Sequence, residues 1–152
     1  MLILTGARKR EVLDATWEDV DLDRALWRIP NTKAGKARVV PLSDTALKLL
    51  TTLRAKKHCA HIFANPNTQK PYRSFYYSWH TARRDAGLDD VRVHDLRHSF
   101  ASFLVNAGRS LYEVQTLLGH TQIKTTQRYA HLSSDSLRNA SNEVSLAVPE
   151  LR

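Results

Sequence analysis

The segment VHDLRHSFAS, residues 93–102, places two histidines and an arginine within five positions, at the start of an apolar run. A helix turns about 100° per residue, so a helix over roughly 94–107 gathers one apolar stripe from Leu96, Phe100, Phe103, Leu104 and Ala107. His94 and Arg97 are neighbours beside this stripe, whereas His98 lies further round the helix. The pattern predicts a helix with His94 and Arg97 at the rim of the core.

A metal site is one interpretation of these residues. His94 and His98 are four apart, which is a zinc-ligand spacing, and His120 is available as a third ligand. However, Asp95 stands where helical zinc hydrolases carry a glutamate, and Arg97 between two ligands would repel a cation. The chain has a single cysteine, so thiolate ligands are scarce as well. The sequence therefore predicts no metal site.

An anion site is the other interpretation, because an arginine fork can pair with two phosphate oxygens and a nearby histidine can donate or transfer a proton. Arg97 and His94 supply that pair, and further cations are available at Arg8 and Lys33. Electrostatic stabilisation by such a set can replace a metal in phosphoryl transfer. A phenolate is a suitable nucleophile, and Tyr129 follows an arginine directly. Each residue alone is more often structural, so only the combination is informative.

Composition and charge set the class of protein. The 152 residues correspond to one domain, with 42% apolar and 25% charged residues as in soluble globular proteins. No segment approaches the roughly 20 apolar residues that span a bilayer. The net charge is +8, and the excess of Lys and Arg lies in the first half of the chain. A polyanionic partner, nucleic acid first, and a merely basic soluble surface both fit this charge.

The order of patterns predicts an α+β fold that is mostly α-helical with a small three-stranded antiparallel sheet. A tight turn at Thr5-Gly6 precedes an amphipathic helix through Val12, Leu13 and Trp17, and short apolar runs over residues 20–42 suggest a β-meander. Ser43 and Asp44 are suitable N-caps for the next helix. Further helical segments follow at about 73–87, 94–107, 110–119 and 121–132, and a last amphipathic helix from Ser134.

Five motifs extend this interpretation to a family: TGARKREVL, NTKAGKARVVPL, HDLRHSFAS, LLGHTQIKTTQRY and AHLS, which run from the first residues to about position 133. In these motifs the chain resembles the tyrosine recombinase, or phage integrase, family. The resemblance implies the catalytic-domain fold of tyrosine recombinases and identifies the polyanion as double-stranded DNA. It also implies a reaction without a cofactor, because the covalent intermediate conserves the energy of the phosphodiester bond.

The resemblance implies a phosphate-binding set of residues. Arg8 and Arg97 correspond to the two arginines that hold the scissile phosphate, and His120 would donate to a non-bridging oxygen. His94 would bond the phosphate and assist loss of the tyrosine proton. Glu11, three residues after Arg8, matches an acidic position that supports the arginines, and His98 is expected in a supporting role as well.

The resemblance also implies the nucleophile and the general acid. Tyr129 would attack the scissile phosphate to give a 3′-phosphotyrosyl link, and Lys33 would protonate the leaving 5′ oxygen. Lys36 lies close by in the same turn and is an alternative for that role. Four further basic residues are expected to contact DNA: Lys36, Arg38, Lys124 and Arg128.

Met1 lies seven residues before Arg8, so we expect residues 1–152 to form a catalytic domain that lacks its first helix and the family's core-binding domain. The principal hypothesis is the catalytic domain of a site-specific recombinase or integrase from a mobile genetic element or a chromosome-resolution system, in the prokaryotic cytoplasm or nucleoid. Such enzymes form homotetramers on DNA, and we expect a monomer without DNA. Two alternatives stay open: a catalytically impaired DNA-binding fragment, and a helix-turn-helix regulator.

Overall fold

The computed structural model describes residues 1–30, 37–56 and 59–133. The chain divides into two compact units, the first from Met1 to Phe100 and the second from Ala101 onward. The helices are α1 (Leu2–Thr5), α2 (Lys9–Leu13), α3 (Asp44–Arg54), α4 (Tyr76–Asp85), α5 (Asp95–Asn106) and α6 (Leu111–Leu118). The strands are β1 (Val20–Asp21), β2 (Leu26–Ile29) and β3 (Arg38–Pro41). The prediction of a mostly helical α+β fold with one small sheet is confirmed.

The three strands form the predicted antiparallel meander in the order β1-β2-β3. Trp27 pairs with Val20 on one side and with Val40 on the other. Successive side chains of a strand point to opposite faces, and accordingly Trp27, Ile29 and Val40 are buried on the core side. Residues 31–36, which separate β2 from β3 in the sequence, lie outside the described residues, and Lys33 and Lys36 are among them.

Helix α3 shares the core cluster with residues of β2 and β3, and it begins as the sequence predicts. The Ser43 hydroxyl accepts a hydrogen bond from the backbone N–H of Ala46, which satisfies one donor of the first turn. Ala46 and Leu50 are fully buried in the same cluster as Trp17 and Trp27. Burial of each large apolar side chain contributes about 1.5–3 kcal/mol. This cluster is therefore the main source of stability of the first unit.

The N-terminal helical segment is shorter than predicted. Helix α2 ends at Leu13, and Trp17 begins a separate 3₁₀ turn, Trp17–Asp19, so the prediction of one helix through Trp17 is wrong. The reason is a competing backbone pairing: the N–H of Trp17 donates to the carbonyl of Ala60, and the carbonyl of Ala15 accepts from Ile62. These long-range bonds hold residues 15–16 extended and stop the helix.

Helix α5 confirms the predicted helix almost to the residue, but its buried face differs from the prediction. Phe103 is 63% exposed, whereas Ala101 and Val105 are fully buried and Arg97 is only 5% exposed. The buried positions therefore follow Arg97 at i, i+4 and i+8. The prediction from apolar periodicity treated Arg97 as a polar residue beside the core. Its side chain is instead buried and hydrogen-bonded, so the buried face of the helix contains Arg97, Ala101 and Val105.

The second unit is organised around α6. Ser110 and Glu113 form a reciprocal capping box at its start, and Gly119 ends it with a left-handed backbone, φ 65°. The segment after Gly119 forms two 3₁₀ turns, Ile123–Thr125 and Gln127–Ser133, rather than the expected regular helix. The predicted last helix from Ser134 lies outside the described residues. Within the described ranges, none of the helices has the length and apolarity needed to cross a membrane.

Candidate active site

Two adjoining pockets in the first unit are lined by four of the predicted site residues: Arg8, Glu11, His94 and Arg97. The smaller, about 340 Å³, is lined by Ala7, Lys9, Arg92, Val93, His94 and Arg97. The larger, about 740 Å³, is lined by twelve residues that include Arg8, Lys9, Glu11 and His94. Lys9 and His94 line both pockets. The structure therefore brings Arg8, His94 and Arg97 to one region, as the sequence predicts, and adds Lys9 and Arg92, which the sequence analysis did not single out.

Arg97 is held inside the first unit by the backbone of the segment that precedes Arg8. Its Nη1 donates to the carbonyl of Gly6 at 2.6 Å. Gly6 has a left-handed backbone, φ 62°, which suits glycine because other residues rarely adopt that conformation. The bond ties the arginine of α5 to the turn before α2. Arg97 is thus hydrogen-bonded to the backbone two residues before Arg8.

Arg8 belongs to a charge cluster of Arg8, Glu11 and Arg38, which we call the Glu11 cluster. Glu11 is buried, and the side chain of Arg8 is 28% exposed. Oε1 of Glu11 accepts from Nη1 of Arg8 and from Nη1 of Arg38, both at 2.8 Å. Oε2 accepts from the backbone N–H of Arg8 and from Nη2 of Arg38, both at 2.7 Å. All four bonds favour the ionised carboxylate. The structure places Arg38 in this cluster and not on an exposed surface, where a direct contact with DNA was expected.

The pKa of Glu11 lies below its ordinary value of 4.5. Burial is the largest single influence and acts to raise the pKa, but the hydrogen bonds and charges of Arg38 and Arg8 together outweigh it. Glu11 is therefore an anion at neutral pH. Two guanidinium groups and one carboxylate leave the Glu11 cluster with one net positive charge.

His94 and His98 lie edge to face, with ring centroids 5.1 Å apart. His94 is exposed at the mouth of the pockets, and His98 is half-buried. The residues that the structure describes contain no group of three or more His, Cys, Asp or Glu side chains that could hold a metal ion. Asp95, between the two histidines, is bound by the side chain and the backbone N–H of Arg92, which lowers its pKa to about 2.

His120 and Tyr129 belong to the second unit, where Thr126 connects them. Nδ1 of His120 lies 2.8 Å from Oγ1 of Thr126, and the carbonyl of Thr126 accepts from the backbone N–H of Tyr129 at 3.0 Å. Thr126 is fully buried, and Tyr129 is 6% exposed. Thr126 was not predicted, and its place between LGH and Tyr129 is the only signal in the sequence that could have indicated it. Lys124 and Arg128 are exposed on the same turns.

The comparison with known sequences identifies the family. The sequence model described as "Phage integrase family" matches residues 1–135. The chain belongs to the phage integrase family. Tyrosine recombinase XerA of Saccharolobus solfataricus is 37% identical over 140 residues, which are 91% of this chain and 46% of that protein. The chain spans about half the length of the curated relatives that it matches.

Solved structures of integrases and recombinases have the same fold as this member of the phage integrase family. The catalytic domain of bacteriophage HP1 integrase superposes with a TM-score of 0.72 at 28% identity, over 97% of this chain and 80% of that one. The XerH site-specific recombinase, in a post-cleavage complex with its palindromic difH substrate, superposes with a TM-score of 0.72 at 27% identity, over 92% and 42%. The fold is that of a tyrosine recombinase catalytic domain.

Proposed function

We propose that this chain is the catalytic domain of a site-specific DNA recombinase, which cleaves and rejoins double-stranded DNA through a 3′-phosphotyrosyl intermediate. The observation that carries the proposal is the pair of adjoining pockets at Arg8, His94 and Arg97. Cations fixed in place before the substrate arrives stabilise the charge that develops on a phosphate without reorganisation during the reaction. The names of the relatives, and the DNA complex of XerH, support DNA as the substrate.

In the proposed cleavage step, Arg8 and Arg97 hold the non-bridging oxygens of the scissile phosphate, with His120 as a further donor. The phenolic oxygen of Tyr129 attacks phosphorus while His94 assists the loss of its proton. The bond from phosphorus to the 5′ oxygen breaks, and Lys33 delivers a proton to that oxygen, with Lys36 as the alternative donor. Rejoining is the reverse, with a 5′ hydroxyl as nucleophile and Tyr129 as leaving group.

The wider proposal covers the other groups and the assembly. Glu11 and His98 support the phosphate ligands, and Lys36, Lys124 and Arg128 contact the DNA backbone. Residues 1–152 act as one catalytic domain. Four copies of the chain assemble on DNA, and the reaction takes place in the prokaryotic cytoplasm or nucleoid. No metal or other cofactor takes part in the proposed reaction.

The test is covalent capture of a nicked suicide duplex, whose short 5′ fragment dissociates after cleavage and traps the adduct. The wild-type chain is expected to give a protein–DNA adduct that survives denaturing electrophoresis, and Tyr129→Phe is expected to give none. Tyr112→Phe is the matched control, since Tyr112 lies in the same unit and is 73% exposed. An adduct with Tyr129→Phe, or loss of the adduct with Tyr112→Phe alone, would contradict the assignment of the nucleophile.

The second candidate is a DNA-binding fragment without catalysis. It is favoured by one observation, the net charge of +8, which suits a polyanionic partner and does not require catalysis. The same experiment separates the two. A gel shift that weakens steeply with salt, together with no adduct from the wild-type chain, would favour the binding fragment.

A further inference from the structure

Arg38 has a nearly buried side chain, whereas Arg28 on the neighbouring strand is exposed. The side chain of Arg38 is 10% exposed and that of its partner Glu11 is 5% exposed, although the two residues are 27 positions apart in the chain. Both terminal nitrogens of the guanidinium donate to the carboxylate. Arg38 is thus committed to a protein carboxylate, and a role in direct phosphate contact does not explain its position.

The carboxylate that binds Arg38 is also the one that binds Arg8. Each oxygen of Glu11 accepts one bond from each arginine residue. As a result, the guanidinium of Arg8 makes a single hydrogen bond among the described residues, through Nη1, and its other donors remain available. An arginine alone beside a carboxylate prefers a bidentate pair. Without Arg38, the Arg8 guanidinium could form that pair and lose donors for an anion.

Stability alone does not account for the arrangement. Nε of Arg38 is buried and has no hydrogen-bond partner within the described part of the chain. A buried donor without a partner destabilises a fold. Moreover, Arg38 is the first residue of β3. The pair with Glu11 therefore joins the start of that strand to the helix that follows Arg8.

We propose that Arg38 is a positioning residue for the Arg8 phosphate site: by occupying one side of the Glu11 carboxylate, it keeps Arg8 singly bonded and available to a phosphate group. The inference rests on the proposed function, since it assumes that Arg8 binds the scissile phosphate. It assigns Arg38 no contact with DNA.

The experiment compares two substrates. One nicked duplex has an ordinary scissile phosphate, and the other has a methylphosphonate, in which a methyl group replaces one charged oxygen. Arg38→Gln is expected to slow adduct formation on the phosphate about 10- to 100-fold, but about threefold or less on the uncharged methylphosphonate, which needs less cationic stabilisation. Arg38→Lys, which keeps the charge without the fork, is expected to lose less than Arg38→Gln.

Arg24→Gln is the matched control, because Arg24 also pairs with a carboxylate, that of Asp21, but at an exposed position that lines neither pocket. A merely structural role of Arg38 would slow both substrates equally, and that result would overturn the inference. A loss no greater than that of Arg24→Gln would overturn it as well. If Arg38→Gln does not fold by circular dichroism, Arg38→Lys carries the same comparison, and again only a selective loss on the charged substrate supports the proposal.

A second measurement does not depend on catalysis. Inorganic phosphate is titrated against the wild-type and Arg38→Gln chains, and the side-chain Nε–H signal of Arg8 is followed by NMR. We expect the affinity of Arg38→Gln for phosphate to be lower than that of wild type by a factor of about three or more, because Arg8 then pairs with both oxygens of Glu11. Unchanged affinity would overturn the inference even if the wild-type chain forms adducts. Weaker affinity without any adduct would instead retain the positioning role and contradict the proposed reaction.

Discussion

Two carboxylates lie at helix α2, Glu11 within the helix and Asp14 at its C-terminal cap, and their surroundings differ. Glu11 is 5% exposed and binds two arginines, whereas the side chains of Asp14 and its partner Arg10 are each 52% exposed. The two sites have the same chemistry and lie within one turn of each other. In the buried site, desolvation makes each charge dependent on its partners, but at the exposed site water and salt can replace them. Burial therefore decides which of the two the protein depends on.

The largest difference is expected when each carboxylate is removed. Glu11→Ala leaves Arg38 buried without its counter-charge, which should lower the free energy of unfolding by about 3–5 kcal/mol. Asp14→Ala should lower it by about 1 kcal/mol or less. Urea unfolding of the two variants measures both values. Equal losses would mean that burial does not distinguish the two sites.

Double-mutant cycles sharpen the comparison to individual pairs. The coupling free energy between Arg38 and Glu11 should be about 1–3 kcal/mol, because both side chains are buried and share two hydrogen bonds. The coupling between Arg10 and Asp14 should be about 0.3–0.5 kcal/mol, as for other exposed helical pairs. Glutamine and asparagine substitutions, measured by urea unfolding, give both cycles. A stronger coupling in the exposed pair would reverse the interpretation.

Acid should affect the buried carboxylate selectively. The pKa of Glu11 in the folded chain is below its ordinary value of 4.5, so the stability that it contributes is fully present above pH 4.5 and is lost as the pH falls through the folded value. Thermal unfolding of wild type and Glu11→Gln from pH 6 to pH 3 should therefore show a smaller acid dependence in the variant.

Asp95 serves as an internal reference in that experiment. Hydrogen bonds from Arg92 lower the pKa of Asp95 to about 2. Because Asp95 is unchanged in wild type and in Glu11→Gln, its contribution to the acid dependence cancels in the difference. An identical acid dependence of wild type and Glu11→Gln would mean that the arginines do not hold Glu11 ionised.

The smallest expected effect is that of salt. Raising the salt concentration from 0.05 to 1 M shortens the Debye length from more than 10 Å to about 3 Å. The Arg10–Asp14 coupling should fall toward zero, and the Arg38–Glu11 coupling should change little because solvent ions do not reach it. Repeating both cycles at the two salt concentrations measures this. A parallel decrease would indicate that water enters the buried site.

Local signals in the sequence predicted the elements that depend on local physics. The β-meander, the Ser43 cap and the helix end at Gly119 are confirmed, because strand alternation, capping and a positive φ are properties of a few neighbouring residues. The helix through Trp17 was wrong, since a backbone pairing with residues 60–62 opposed it. The prediction that Phe103 lies on the buried face of α5 was wrong for a related reason. Periodicity shows where apolar side chains lie on a helix, but it does not show that an arginine is buried.

The sequence predicted several residues of the candidate site but not the contacts between them. The order of Arg8, Lys33, His94, Arg97, His120 and Tyr129 indicated the family, and the structure brings three of them to one pair of pockets. Lys9 and Arg92 were missed, because single basic residues on a basic chain give no signal of their own. Thr126 was missed because a threonine becomes significant only when it is buried against a histidine.

The sequence by itself determined the fold class, the family and the residues proposed to act on phosphate, because these follow from short-range patterns and from a set of motifs in order. Only the tertiary structure decided that Arg97 is an interior residue bonded to Gly6, and that Arg38 shares Glu11 with Arg8. Both facts depend on contacts between distant parts of the chain. The sequence gives the charge and spacing of these residues. Their burial, which determines how strongly their charges interact, is established only on folding.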